Sequence, residues 1–143
     1  MTPLQVTLIR QQFGAIARQS DAFSARFYDQ LFRLDPSLRP LFPDDLGAQR
    51  GKLVKALAHV ILSLHDLAAV IDDVRALGLR HTGYGVTAAH YDTVGLALLE
   101  TLAALLGDSF DDESRAAWAL AYGTIADAMI EASAAPYARI AAE

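Results

Sequence analysis

The sequence predicts an all-α domain of about seven helices of uneven length, and three observations predict it. Apolar residues recur at intervals of three and four over most of the chain, which gathers them on one side of a helix. Caps and breakers divide that pattern into segments at Thr2-Pro3, Asp35-Pro36, Thr87 and Gly107-Asp108. No pair of alternating apolar runs is joined by a hairpin turn, so nothing reads as a strand pair.

The elements follow in order. Thr2-Pro3-Leu4-Gln5 starts the first helix, with Thr as cap, Pro in the first position and Gln reaching back, and that helix is expected to run to about Gln19. Asp21 opens a second, with Phe23, Phe27, Leu31 and Leu34 at helical spacing. Asp35-Pro36 breaks it, and a short helical turn through Leu41 follows. After a polar connection from Pro43 to Gly47, a fourth helix covers about 46–64, with Leu53, Leu57, Val60, Ile61 and Leu64 on one face. A fifth is expected from about Asp66 to His81, and Thr82-Gly83-Tyr84-Gly85 reads as a loop. Thr87 caps a long sixth helix carrying Tyr91, Val94, Leu98, Leu102 and Leu105, which Gly107-Asp108 ends. Asp111 or Asp112 starts the last, with Trp118, Tyr122, Ile125 and Met129 on one side, and Pro136 is expected to interrupt its tail. A four-helix bundle has fewer helices of more regular length.

Composition narrows the function classes. The 143 residues suit one domain spanning 1–143, and 53% hydrophobic against 20% charged residues can bury a sizeable core. Twelve basic and 17 acidic residues give a net charge of −5, which argues against a nucleic-acid partner. The absence of Cys excludes disulfides, thiolate metal sites and cofactors tethered through Cys. Lys55 and His59, or Glu100 and Thr101, interrupt the most apolar stretches before they reach membrane-spanning length. Arg10 and two Gln break the apolar run of the N-terminus, so no signal peptide is expected and the cytoplasm is the expected location.

Of the four histidines, three have ordinary readings. His59 lacks a second ligand or an acidic neighbour at the spacing of a zinc pair, and His65 reads as a packed or solvated side chain. His90 falls in the first turn of its helix and is expected to face solvent. His81 differs: it ends a helix just before a Gly-rich loop, with Leu77 one turn earlier to pack beneath a flat apolar ligand. A neutral imidazole there can give one nitrogen to a metal and the other to a backbone or side-chain partner. On spacing alone it is a candidate ligand.

Motifs along nearly the whole chain resemble the globin family. The second half carries Leu79-Arg80-His81-Thr82, Gly85-Val86, Tyr91-Asp92-Thr93-Val94-Gly95, Leu98-Leu99 and 116–123, which reads AAWALAYG. The first half carries Phe27-Tyr28, Leu31-Phe32, Asp35-Pro36-Ser37-Leu38 and Leu41-Phe42. The chain is most similar to bacterial single-domain haemoglobins and to the globin domain of flavohaemoglobins, with second-half motifs also similar to neuroglobin. The resemblance implies the three-over-three helical sandwich, in which a very short third helix is usual.

It also implies a site. His81 corresponds to the proximal ligand of the iron in a non-covalent haem b, and Phe42 to the phenylalanine on the haem face. Tyr28 corresponds to the distal tyrosine, Gln49 to the distal polar residue on the fourth helix, and Leu53 to the apolar residue over the iron. Gln49 precedes His81 by 32 residues (81 − 49), in the family register. Leu77, Val86 and Tyr91 fall on the proximal side, and Lys52 is within reach of a haem propionate. One departure stands out: the Glu that backs the proximal His in bacterial relatives corresponds to Ser133, and Glu131 is about 200° around the helix from that position.

The function implied is reversible binding of oxygen, with nitric oxide and carbon monoxide, at a five-coordinate haem iron, as in oxygen transport. A second reading is nitric oxide dioxygenation; the 143 residues hold no Gly-rich phosphate loop, so turnover is expected to need an external reductase. A third is gas sensing through a partner.

Overall fold

The first helix begins where a Thr-Pro pair can satisfy its exposed N–H groups. The structure, a computed structural model, describes the backbone of residues 1–83 and 85–142 and the side chains of residues 1–81 and 85–132. In it, Thr2 Oγ1 accepts the Gln5 N–H (3.1 Å) while Gln5 Oε1 accepts the Thr2 N–H (2.9 Å), and α1 runs over Pro3–Ala17. Its successors are α2 (Ser20–Leu34), a 3₁₀ helix (Pro36–Leu41), α3 (Gly47–Leu62), a second 3₁₀ helix (Leu64–Ala69) and α4 (Ile71–Gly83). Then come α5 (Ala88–Leu106), a 3₁₀ turn (Gly107–Ser109) and α6 (Asp112–Ala142). The described residues contain no strand, so the all-α expectation holds. No helix among them is long and apolar enough to cross a membrane.

The breaks have local causes. Asp35 turns extended (φ −145°, ψ 90°) and its carboxylate accepts both the N–H (3.1 Å) and the hydroxyl (2.6 Å) of Ser37, closing α2 and opening the 3₁₀ helix. Asp111 is the cap of α6: its Oδ1 accepts the Ser114 N–H at 2.9 Å and the Ser114 hydroxyl at 2.7 Å.

Four expectations need correction. The helix expected from Asp66 to His81 is two elements, because the backbone kinks at Asp66 (φ −149°, ψ 73°) and the α-helix starts again only at Ile71. A long-range tie explains the corner: the Arg10 guanidinium donates to the Leu62 carbonyl and to His65 Nδ1, both at 2.7 Å, so the end of α3 is capped from α1. At the other end α4 continues through Gly83. Gly85, at φ +87°, takes the left-handed position, and the Val86 N–H returns to the His81 carbonyl at 3.1 Å. That six-residue return is the Schellman arrangement, so the second of the two Gly ends the helix. His90 does not simply face solvent, since its Nδ1 accepts the Thr87 N–H at 3.0 Å and caps α5. Last, α6 is one helix to Ala142 and is not interrupted at Pro136; a proline removes one N–H, which flanking turns of a long helix can bridge.

The main core gathers Ile9 and Ile16 of α1, Phe23 and Leu31 of α2, Leu98 and Leu102 of α5, and Trp118 of α6. A polar line runs through it: Trp118 Nε1 donates to Gln12 Oε1 (2.8 Å), and Gln12 Nε2 donates to Ser114 Oγ (2.8 Å). A smaller cluster joins Val74 of α4, Tyr91 of α5, and Ala126 and Met129 of α6. Here α4 and α6 press together at Gly78, where an added Cβ would sit 2.5 Å from the Met129 carbonyl oxygen. Helix α3 packs on α1 and α2, whereas α4 packs on α6. The two helices therefore form separate walls, linked at their surface where His59 Nε2 lies 3.2 Å from the Asp73 carboxylate.

Gly78→Ala should destabilise the fold by about 1–3 kcal/mol, because the neighbour it meets is backbone and cannot swing away. Gly14→Ala, in α1 with open space around it, should be neutral or stabilising by about 0.5–1 kcal/mol. Urea unfolding midpoints of the two variants check this; an unshifted midpoint for Gly78→Ala contradicts the close crossing.

Candidate functional site

The wall formed by α4 presents His81 in the helix's last turn. Its Nδ1 lies 2.8 Å from the Leu77 carbonyl one turn earlier. A carbonyl only accepts, so Nδ1 carries the proton and the lone pair of the neutral ring is on Nε2. Leu77 thus contributes its backbone oxygen to the histidine as well as a half-buried side chain. Val86, just past the helix end, is also half-buried, and both pack on the smaller cluster.

Tyr91 of α5 stands beside the imidazole, with ring centroids 6.4 Å apart and planes inclined by 31°. Its hydroxyl is buried and has no hydrogen-bond partner among the described residues. The Tyr91 backbone is held from below: the Tyr122 hydroxyl donates to its carbonyl at 2.6 Å, and the Tyr122 ring lies where a Cβ on Gly95 would be. Burial pushes the Tyr91 and Tyr122 phenols above their ordinary value, and Tyr122 is raised further by Tyr91 and Asp92. The Ser133 position lies outside the described side chains.

The opposite wall is aromatic. Tyr28 of α2 is 4% exposed and packs edge-on to Phe27 and Phe42, with centroids at 5.1 and 5.6 Å, and beside Phe32 at 6.0 Å. Phe42 follows the 3₁₀ helix and is half-buried, as are Leu53 and Gln49 of α3. Burial raises the Tyr28 phenol above its usual value, and a hydrogen bond with the Gln49 side chain partly opposes that. Lys52 lies exposed on α3.

Sequence reasoning did not find the two arginines that frame this wall. Arg39 donates to the carbonyls of Phe42 (3.3 Å), Pro43 (2.9 Å) and Asp44 (2.9 Å), and its guanidinium lies 5.3 Å from the Phe32 ring centroid. Arg50 ties α3 to α2. No local pattern marks either one; both act through tertiary contacts.

The donor set limits what the site can hold. Among the described residues no group of three or more His, Asp or Glu side chains could hold a metal ion. The half-buried apolar side chains of Phe42, Leu53 and Leu77 suit a flat apolar carrier that brings most of a metal's ligands with it. The residues present therefore fit a haem.

Comparison with known proteins agrees. A family model described as Globin matches residues 25–129. The chain is 31% identical over 144 residues to the flavohemoprotein of Bordetella pertussis, covering 99% of this chain and 36% of that protein. It is 34% identical over 137 residues to the flavohemoprotein of Deinococcus radiodurans, covering 91% of this chain and 33% of that one. The chain thus spans about a third of the length of the curated relatives it matches. Its structure is similar to a bacterial globin from Campylobacter jejuni, with TM-score 0.84, 26% identity, and coverage of 95% and 99%. It is also similar to an engineered carbene transferase built on a provisionally assigned nitric oxide dioxygenase of Rhodothermus marinus. That match has TM-score 0.85 and 29% identity and covers 99% of both chains.

The buried phenols carry a pH dependence. Tyr28, Tyr91 and Tyr122 have folded values raised above 10.0, so the stability they contribute is present below pH 10 and is lost as pH rises past it. On alkaline titration followed by phenolate absorbance, these three of the five tyrosines should stay protonated past pH 10 and ionise together with unfolding. All five titrating near pH 10 in folded protein would contradict their burial.

Proposed function

This chain belongs to the globin family of haem-binding proteins, and from that premise we propose that it binds oxygen reversibly, along with nitric oxide and carbon monoxide, at a five-coordinate haem b iron held by His81. The observation that carries this reading is His81 in the last turn of α4, its Nδ1 2.8 Å from the Leu77 carbonyl so that Nε2 carries the lone pair. A bound haem would supply an iron able to take up a diatomic gas.

The protein's part follows from its own atoms. The Leu77 carbonyl holds the His81 ring by Nδ1, which fixes its tautomer and orients Nε2. Half-buried Phe42, Leu53, Leu77 and Val86 would hold the haem by apolar contact and exclude water, and exposed Lys52 would pair with one of its carboxylates. Tyr28 would donate its phenol proton to a bound diatomic gas, and Gln49 of the neighbouring helix would add an amide donor. An amide is a poor iron ligand, so Gln49 leaves the distal position to the gas. Tyr91 packs against His81, with ring centroids 6.4 Å apart.

A second reading is nitric oxide dioxygenation fed by a separate reductase. It is favoured by the likeness to flavohemoproteins and to the Rhodothermus protein, and it would use the same distal pair. Both readings suit a location in the cytoplasm.

Stopped-flow oxygen dissociation tests the distal role. A hydrogen bond to a charged acceptor contributes about 1.5–3 kcal/mol, so Tyr28→Phe should speed oxygen release roughly ten- to a hundredfold. An unchanged rate removes Tyr28 from the ligand.

A further inference from the structure

Gln49 stands on a helix start that is weak by composition. The first five residues of α3 include Gly47, Ala48 and Gly51, and no apolar anchor occurs between Leu46 and Leu53. Glycine loses more backbone entropy than other residues on becoming helical. Gly51 has no close neighbour that would require it, since an added Cβ meets nothing within 4 Å. Leu46, at the cap position, offers no side-chain hydrogen bond, and the capping is a single bond from the Gly47 N–H to Asp45 Oδ1 at 2.9 Å. Such a turn does not by itself hold a long amide side chain at one spot.

Arg50 supplies what is missing. Its side chain, 32% exposed, crosses to the start of α2, where Nε donates to Ser24 Oγ at 3.0 Å and a terminal nitrogen donates to the Asp21 carbonyl at 2.7 Å. Ser24 is 2% exposed and lies one helical turn before Tyr28, and its own hydroxyl donates to the same Asp21 carbonyl at 3.3 Å. The guanidinium therefore grips two fixed points on the helix that carries Tyr28. It does so from the residue next to Gln49, and its fork can satisfy both acceptors at once.

We propose that Arg50 is a positioning residue for the distal pair: it docks the first turn of α3 onto α2 and so sets where Gln49 stands relative to Tyr28. This inference rests on the distal reading of those two residues given above. Arg50 acts through the helix, so its effect passes through Gln49 and disappears when Gln49 has no amide to place.

The test uses the haem-loaded protein and four variants: Gln49→Leu, Arg50→Leu, the double substitution, and Ser24→Ala, which removes one anchor and leaves Arg50 in place. Two quantities are read, the oxygen dissociation rate and the carbon monoxide stretching frequency of the ferrous carbonyl complex, which reports polarity next to the gas. Arg50→Leu should raise the dissociation rate roughly three- to tenfold and move the stretching band in the direction that Gln49→Leu moves it. Ser24→Ala should act in the same direction with smaller effect. In the Gln49→Leu background, Arg50→Leu should change the rate by less than about twofold. The proposal is overturned if Gln49→Leu moves both readouts while Arg50→Leu and Ser24→Ala leave them at wild-type values, or if Arg50→Leu keeps its full effect without Gln49. If Arg50→Leu does not fold, Ser24→Ala decides alone. If Gln49→Leu itself moves neither readout, the distal reading fails first and takes this proposal with it.

Discussion

A histidine can bind iron through either ring nitrogen, and the bond from His81 Nδ1 to the Leu77 carbonyl determines which one carries the lone pair. That bond exists only because His81 lies in the last turn of a helix that is ended just beyond it. The Val86 N–H takes the His81 carbonyl, and Gly85 supplies the positive φ that the return demands. The helix is itself set by its contact with α6, where Gly78 lets the two backbones approach closely. A crossing, a helix end and one hydrogen bond together define one wall of the site.

The other wall is built on a different principle. The aromatic cluster of Phe27, Tyr28, Phe32 and Phe42 gives it rigidity, while the polar groups at its edge are anchored by arginines from outside the cluster. Arg39 gathers three carbonyls of the segment that carries Phe42, and Arg50 fastens the turn that carries Gln49. Each wall is anchored to its own part of the core, α3 on α1 and α2 and α4 on α6, so groups on the two sides can be set independently of each other. One wall thus carries His81 of α4, and the other carries Tyr28 of α2 and Gln49 of α3.

Much of the fold is legible in the sequence because each helix must bury one face. Phe23, Phe27 and Leu31 are buried as their spacing requires, and so are Leu98, Leu102 and Trp118. The capping box at Thr2 and Gln5 is visible for the same reason, since its partners are three residues apart. The kink at Asp66 is not legible, because Arg10 causes it from 52 residues before Leu62. Nor is the true end of α4, where two Gly are equally plausible until the Val86 bond chooses between them. In the site, spacing alone makes His81 a candidate, and resemblance supplies Tyr28 and Gln49, which lie on the packed helices α2 and α3. Arg50 and Ser24 meet across 26 residues and carry no motif, so only packing reveals them.

The central claim is that His81 is the iron's protein ligand, neutral and held by a backbone carbonyl. The most direct measurement is the resonance Raman spectrum of the ferrous, gas-free protein. An iron–histidine stretching band should be present, marking a five-coordinate iron, at the low frequency of an oxygen carrier, because a carbonyl draws the Nδ1 proton far less than a carboxylate does. A band at the high frequency of a peroxidase, or a six-coordinate spectrum with no such band, would contradict the account.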